Sequence, residues 1–513
     1  MQRREVGATG VRLSVVGFGT AQLQMLPERQ AIAAMRRAFE LGVDWVHTAP
    51  DYGGVEHWIA RAIRESGRDV TVATQSPAYL NLLEPFFDNA RRLFRRDTLD
   101  LYGVNCIEDI EYIGENVWGR GGMIDVLQRK KRDGTIRALF CTTHGPIEYT
   151  ERLVTCGVFD AVMVAYNPLE FHLLSYYAAR YGRRFENLRE VRTRLFPLAA
   201  ARGVSVLVMK PLAAGLLTRG RAFPPASWPP GHRSVAAADL LRHALAHPGV
   251  CAVVPGIASV EEAEEDALAG HEPLTLNESR TAAIEAAAGE MRLSLCSRCG
   301  ECEPTCSRGL PIASMFRDAY IWSYGNETFM ADDRENYVAL HPADALACVD
   351  CEQQTCRCPQ GLTIPRALAE THETVRSLRA AGRHPGPLSG LAAPSPIAVH
   401  QAVVLSQEIA IRPGTPAVAR FLVENQGAEM WTAFSHIPDP ALAVAVGVSV
   451  DGILTTRIPI RQNISPGQRS PVVLEFEAPQ GPGSHRLDFH FMPLGAAALD
   501  ARSTRFFSTT VHV

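Results

Sequence analysis

Residues 43–56 read VDWVHTAPDYGGVE. An apolar, β-branched run ends in a turn of small residues, and a tyrosine and two glycines then lead into an amphipathic stretch. That is the pattern of a strand that finishes at a site and passes into a helix. The same pattern recurs as SVVGFGT, VTVATQ, LDLYGVN, IRALFCTT, DAVMVAYN, VSVLVMKP and CAVVPGI. Amphipathic segments such as QAIAAMRRAFELG and GMIDVLQRKKRDG lie between them, each ending near a glycine or a basic residue, as helix stops do. Eight such units over about 270 residues predict an α/β fold, a (β/α)8 TIM barrel. The preceding REVGATGVRL, with its pair of glycines, predicts a hairpin that caps the barrel floor.

In such a barrel the strand C-termini carry the site. This places His47, Tyr52, Gln75, Asn105, Thr142, Thr143, Asn167, Lys210 and Gly256 on one rim, although several of them could serve only to cap helices or fill loops.

The whole chain has 513 residues, more than one core usually serves, and three domains are expected. With 46% hydrophobic and 21% charged residues it has the composition of an ordinary soluble protein. A formal charge of -4 offers no electrostatic case for nucleic acid or an anionic membrane as partner. No apolar stretch reaches the roughly 18 residues of a membrane helix, so the expectation is a cytoplasmic protein.

After a barrel at 1–290, residues 291–376 hold eight of the twelve cysteines. Cys296, Cys299, Cys302 and Cys306 follow the C-x2-C-x2-C-x3-C spacing of bacterial ferredoxins, in which three thiolates take one [4Fe-4S] cubane and the fourth takes its neighbour. A zinc site is the alternative, but zinc usually draws its ligands from two separated pairs. The second run offers Cys348, Cys351, Cys356 and Cys358 and is irregular: Gln354 stands where the regular spacing would put the third thiolate. Crossed ligation would give one cluster Cys296, Cys299, Cys302 and Cys358, and the other Cys348, Cys351, Cys356 and Cys306. The expectation is a small α-helical, ferredoxin-like iron-sulfur domain. A Gly-, Pro- and Ala-rich linker at 377–397 follows, and then residues 398–513, where HRLDFHF alternates with period two and predicts a β-sandwich.

GFGT, HTAPDYGGVE, YNPLE, VMKPLAAGLL and VPGIASVEEAEED together resemble the aldo-keto reductases over roughly residues 1–285. With the cysteine segment the likeness extends to a branch of that family with a ferredoxin-like extension. The resemblance implies a tyrosine general acid, Tyr52, whose acidity is raised by a lysine and an aspartate while a histidine steers the carbonyl. Here His47 stands in the aspartate's place, Gln75 in the lysine's and Asn105 in the histidine's. An unperturbed phenol has a pKa near 10 and a nearby cation lowers it, which Gln75 cannot do. A protonated His47 is expected to substitute in part, with Asp51 and His144 as secondary acid-base candidates.

For the cofactor the resemblance implies Gly19 and Thr20, the loop Lys210, Pro211, Leu212 and Gly215, the phosphate turn Gly256 and Ser259, and Asp266. Thr142, Thr143 and Met163 stand where a serine, an asparagine and a glutamine hold the carboxamide, and Met163 cannot do so. Glu262 stands where an arginine often grips a 2'-phosphate, so NAD is expected over NADP. The C-terminal pattern, with Asn425 and Trp431, resembles an immunoglobulin-like module, which would add stabilising contacts or bind protein or glycan.

The expected function is an oxidoreductase acting on a small-molecule substrate, with electrons passing through the clusters and a redox protein as candidate partner. The alternative is a degenerate barrel serving as a binding or electron-relay module or as a non-redox proton-transfer enzyme. The thiol count predicts about eight iron atoms and about eight acid-labile sulfides per chain. An assay giving about four of each would mean that the irregular run holds no cluster, and stoichiometric zinc without sulfide would contradict the ferredoxin reading.

Overall fold

The computed structural model describes residues 1–23, 26–50, 52, 55–78, 80–105, 107, 117–170, 188–218, 233–271, 273–296, 300–310, 312–313, 315–316, 348, 351–380, 402–411, 417–426, 431, 444–460, 464, 467, 469–479, 481–493, 499 and 503–512. Asp51, Cys299, the stretch 317–347 of the expected iron-sulfur domain and all but the first residues of the expected linker lie outside them.

Strands β1 (Arg3–Glu5) and β2 (Arg12–Ser14) pair antiparallel. This is the expected hairpin, and its Val6, Val11 and Leu13 plug the floor of the barrel. The barrel follows as β3 (Phe18–Gly19), β4 (Trp45–His47), β5 (Thr71–Pro77), β6 (Leu99–Asn105), β7 (Ile136–Thr142), β8 (Ala161–Ala165), β9 (Ser205–Met209) and β10 (Val250–Val254). These eight strands form one sheet in sequence order, every neighbour parallel. The bridges Val16↔Val253 and Gly19↔Gly256 join its two edges.

Around it lie α1 (Glu28–Glu40), α2 (Val55–Ser66), α3 (Leu80–Phe94), α4 (Met123–Arg132), α5 (Ile147–Thr155), α6 (Phe196–Arg202, continuing a π-helical turn at Val191–Leu195), α7 (Ala237–Leu245) and α8 (Val260–His271). Each presents buried apolar residues at helical spacing to the sheet, as Ala31, Ala34, Met35 and Ala38 do in α1.

Side chains fill the barrel interior, among them Trp45, Leu101, Phe140, Met163 and Leu207. Room for the aromatics comes from glycine. A Cβ on Gly17 would stand 2.2 Å from the Trp45 ring, and one on Gly103 would stand 2.3 Å from the Phe140 carbonyl oxygen.

Helix α9 (Glu278–Ser294) starts at Asn277, whose side chain accepts a hydrogen bond from the Arg280 amide. Near its end the Arg292 guanidinium donates to the Pro168 carbonyl at 3.1 Å, so the helix is fastened to the loop after β8 just before the first cysteine run begins. Beyond it, Leu310, Ile312, Met315 and Phe316 join Leu362, Ile364 and Leu368 in an apolar cluster that contains Cys296, Cys302 and Cys348. The last two leucine/isoleucine positions belong to α10 (Ile364–Ala380).

The C-terminal region forms two antiparallel sheets. One is β11 (Ala402–Ala410), β12 (Ala417–Asn425) and β15 (Arg469–Phe476); the other is β14 (Ile453–Pro459), β13 (Val444–Val450), β16 (Ser484–Pro493) and β17 (Thr504–His512). They share one core, in which Phe421 of the first meets Phe489 of the second with ring centroids 4.9 Å apart. The period-two reading of β16 holds: Leu487, Phe489 and Phe491 face inward. Asp488 is also largely buried on the opposite face, where Arg486 and Arg505 pair with it.

The back of β12 does not face solvent. Leu422 packs on Phe86 of α3, both buried, so the sheets rest against the side of the barrel. Among the described residues no helix is long and apolar enough to cross a membrane. Truncation of a buried phenylalanine costs about 3–5 kcal/mol. Phe86→Ala should therefore lower the thermal midpoint and make the sheets more susceptible to limited proteolysis; unchanged values for both would show that the contact contributes nothing to stability.

Candidate active site and cysteine cleft

At the C-terminal rim of the barrel, one hydrogen-bond chain ties three adjacent strands. The Gln75 amide of β5 donates to the Asn105 Oδ1 of β6 at 3.0 Å, and the Thr142 hydroxyl of β7 donates to the same oxygen at 3.0 Å. On β4, His47 is next in line. Its carbonyl accepts from the Thr20 hydroxyl at 2.8 Å, and the following amide, of Thr48, donates to Ala73 at 3.0 Å, which extends the parallel pairing.

The Tyr52 amide turns back onto the Ala49 carbonyl at 3.1 Å. The phenol ring then lies edge-on to His47, centroids 6.4 Å apart, while Phe140 closes the other side of the imidazole at 6.0 Å. His47 Nε2, Thr48 Oγ1 and Gln75 Oε1 are all buried without a hydrogen-bond partner. Orphaned polar atoms cost free energy unless a ligand or water meets them. They therefore mark this rim as a place for a polar molecule.

One expectation needs correcting. Burial lowers the His47 pKa to about 4, and the neighbouring Gln75 amide, which acts the other way, does not offset it. The imidazole is neutral at working pH and supplies no positive charge to Tyr52, because a low-dielectric surrounding disfavours the charged form.

The other expected residues divide. Thr143 is buried on the wall, where its hydroxyl accepts from the Gly145 amide, and Met163 joins the apolar barrel interior. Asn167 is a loop tie: its Oδ1 accepts from the Leu169 amide and its amide reaches the Lys210 carbonyl at 3.5 Å. His144 is half-buried nearby. Sequence reading missed Thr48, which lay inside the quoted stretch. It also missed a half-buried cluster in which the Tyr166 hydroxyl meets His247 at 3.1 Å and His243 at 3.3 Å; the signal was the four-residue spacing of the two histidines at α7.

The loop after β9 holds Lys210 and Ala213 at φ 59 and 50, a left-handed conformation that costs a non-glycine residue about 1 kcal/mol or more. Pro211 and Leu212 are buried within it and Gly215 completes the bend at φ 82. Across the seam the Gly19 amide donates to the Pro255 carbonyl at 2.9 Å. A Cβ on Gly256 would fall 1.7 Å from Gln22 Oε1, so a larger residue there would require the Gln22 side chain to move.

At the N-terminus of α8 the chain satisfies its own amides. Ser259 accepts from the Glu262 amide at 3.2 Å, and the Glu262 carboxylate accepts from the Ala258 amide at 2.8 Å. Asp266 is buried one turn further along. The turn thus holds a carboxylate at its edge, which disfavours a second anion there.

In the cysteine segment, Cys306, Cys348, Cys351 and Cys356 line one cleft with about 250 Å³ of empty space, its open mouth included. The irregular run reaches the cleft because Gln354 takes a left-handed backbone, φ 39, and because Thr355 is stitched to the first run. The Thr355 hydroxyl donates to the Thr305 carbonyl at 2.6 Å and accepts from the Ser307 amide at 3.1 Å.

Burial pushes the Cys348 thiol up to about 11, with the neighbouring Cys356, Cys306 and Cys351 adding to it. Cys351 is held below the ordinary thiol value, first by the Gln354 amide and then by the Ser307 hydroxyl, the Gln353 amide and Arg308. Among the described residues, no three His, Cys, Asp or Glu side chains close on a single-ion site. Cys296 and Cys302 are buried in the same apolar cluster as Cys348, and Cys358 packs against it; their expected companion Cys299 lies outside the described residues.

A closed eight-stranded parallel barrel with a polar rim at its strand C-termini defines a (β/α)8 enzyme scaffold. A model of the Aldo/keto reductase family matches residues 15–288, more than half of the 513 residues, and the chain belongs to that family of oxidoreductases. L-galactose dehydrogenase of Arabidopsis thaliana is 27% identical over 321 residues, spanning 56% of this chain and 94% of the relative. The solved structure of aldo-keto reductase AKR11C1 from Bacillus halodurans, holo form, is 20% identical, covers 56% of this chain and 96% of its own, and superposes with a TM-score of 0.43. For glycerol dehydrogenase AKR11B4 from Gluconobacter oxydans the values are 18%, 56%, 95% and 0.44. The family match ends at residue 288, before the first cysteine run.

The buried imidazole makes stability acid-sensitive. The unfolded histidine titrates near 6.5 and the folded one at about 4, so within that window the unfolded chain binds more protons and stability falls as pH drops. The shift corresponds to about 3 kcal/mol. His47→Gln should reduce the loss of the urea midpoint between these pH values, leaving the part due to His247, also lowered to about 4 by burial, and to His57, His243 and His490, lowered by burial too; an undiminished acid slope would show that His47 is not held neutral.

Proposed function

We propose that this chain is an aldo-keto reductase-type enzyme that acts on a polar small molecule at the barrel rim, and that its cysteine segment holds two [4Fe-4S] centres exchanging electrons with that site. The observation that carries the cluster half of this reading is the meeting of Cys306 from the first run with Cys348, Cys351 and Cys356 from the second around one cleft. Crossed ligation asks for that grouping. Thiols spread around a cleft suit a multi-atom cluster, whereas zinc draws its thiolates to about 2.3 Å from one point. The other centre would take Cys296, Cys299, Cys302 and Cys358.

A nicotinamide cofactor, when bound, supplies or accepts hydride. Tyr52 would give a proton to the substrate oxygen or take one from it. Neutral His47, edge-on to the phenol, would accept a hydrogen bond rather than lend a charge. Gln75, Asn105 and Thr142 would orient the substrate through their shared network. Without a cation at Gln75 to pull on the phenolic proton, ordinary aldehyde reduction should be slow. Lys210, Pro211, Leu212, Gly215, Gly19, Thr20, Gly256, Ser259 and Asp266 would hold the dinucleotide. The Glu262 carboxylate on the Ala258 amide favours NAD over NADP, since a 2'-phosphate would meet a like charge. A cytoplasmic setting, which keeps eight thiols reduced, and a redox protein as electron partner belong to the same proposal.

The test is anaerobic titration of cluster-loaded protein. NADH should bleach the cluster absorbance and NADPH should bind at least tenfold more weakly. Glu262→Arg should narrow that difference, and Tyr52→Phe should abolish turnover without preventing NADH binding. Failure of both NADH and dithionite to bleach the protein would instead favour the barrel as a binding module.

A further inference from the structure

We propose that Tyr166, His243 and His247 form a binding site for one divalent transition-metal ion, with zinc as the probe, in the outer layer of the barrel between the end of β8 and α7. The inference is independent of any reading of the cysteine segment.

Local sequence makes the pair. In HALAH, His243 and His247 stand four residues apart, so one face at the end of α7 carries both imidazoles. Tyr166 follows β8 directly, and its ring meets both imidazoles and Phe196. The atoms able to bind a cation converge. Nε2 of His247 lies 3.1 Å and Nε2 of His243 lies 3.3 Å from the phenol oxygen, and the two imidazole centroids are 5.5 Å apart. Zinc bonds of about 2.0–2.1 Å, set at tetrahedral or octahedral angles, place neighbouring ligand atoms about 2.9–3.4 Å apart. Both separations match an edge of such a polyhedron, so small ring rotations exchange two hydrogen bonds for three bonds to one ion. The third ligand is a phenol, which is why the trio stands apart from any grouping of three His, Cys, Asp or Glu side chains.

Protonation favours the ion. A metal takes neutral imidazole. Burial lowers the pKa of both histidines, His247 to about 4, so neither has to shed a proton near neutrality. The phenol does: on binding it releases its proton to solvent, and the phenolate offsets one of the ion's two charges. The charged neighbours of the trio divide evenly, Arg192 and Arg292 against Glu170 and Glu285, and Arg192 is itself paired with Glu170 at 2.9 Å. Tyr166 is 1% exposed whereas the imidazoles are half-buried, which leaves the helix side open to the ion and to the water that completes its shell. A bound ion would hold α7 to the strand end beside Asn167, whose amide reaches the Lys210 carbonyl at the rim.

The experiment is calorimetric titration of the full-length, cluster-loaded protein with zinc under anaerobic conditions, with zinc and iron assayed afterwards. One equivalent of zinc is expected, with a heat that depends on the buffer because a proton is released. His243→Gln and His247→Gln should each weaken binding by at least the roughly tenfold that loss of an outer-shell partner costs. Tyr166→Phe, which keeps the ring, should weaken it likewise and remove the buffer dependence. X-ray absorption at the zinc edge of the wild-type protein should show only nitrogen and oxygen ligands, a readout that needs no variant to fold. Sulfur ligation of the zinc, a double histidine variant that takes up as much zinc as the wild type, or unchanged binding in Tyr166→Phe would overturn the proposal. So would a wild-type protein that takes up no zinc, in which case the trio is only two complementary hydrogen bonds that fasten α7 to β8.

Discussion

Everything at the rim depends on closure of the sheet between its last strand and its first. The Gly17 amide donates to the Val253 carbonyl and the Val253 amide donates to Val15, both at 2.9 Å, and Gly19 repeats the contact with Pro255. Closure leaves no strand edge and brings Gly19 and Thr20 beside Gly256, residues far apart in the chain. It also forces inward-facing residues to share one narrow interior. Trp45 and Phe140 fit only because Gly17 and Gly103 carry no side chain where those rings and their backbone pass.

The same confinement explains the chemistry of the rim. His47 sits one step above Trp45 on a three-residue strand, against Phe140, and is stripped of water. Its neutrality is a consequence of packing. A lysine in place of Gln75 would bring a charge into that pocket, with the solvation penalty any buried cation carries; the amide instead joins Asn105 and Thr142 in an uncharged network. The rim as built thus presents dipoles rather than a charge.

That segment is not an independent appendage. Arg292 fastens α9 to the loop after β8, and the buried thiols belong to the same apolar cluster as the outer layer of the barrel. On another side, Leu422 of the C-terminal sheets meets Phe86 of α3, the helix that follows the strand bearing Gln75. Both additions therefore contact elements that lead into the rim.

The sequence by itself determined the barrel, because continuous apolar, β-branched runs and period-3.6 helices report burial directly, and each of the eight strand-like runs appears in the sheet in order. It also determined the floor hairpin and the inward face of β16. It carried the identities at the rim, since side-chain alternation puts strand-end residues there. Tertiary structure alone decided their state. That His47 is neutral follows from Phe140 and the closed wall around it, partners distant in sequence and invisible to local pattern. That Glu262 reaches back to the Ala258 amide, and that Thr355 draws Cys356 toward Cys306 despite Gln354, likewise depend on side-chain direction and backbone handedness rather than spacing. Spacing along a chain tells which residues can meet; desolvation and hydrogen-bond geometry, which need three dimensions, tell what they become when they do.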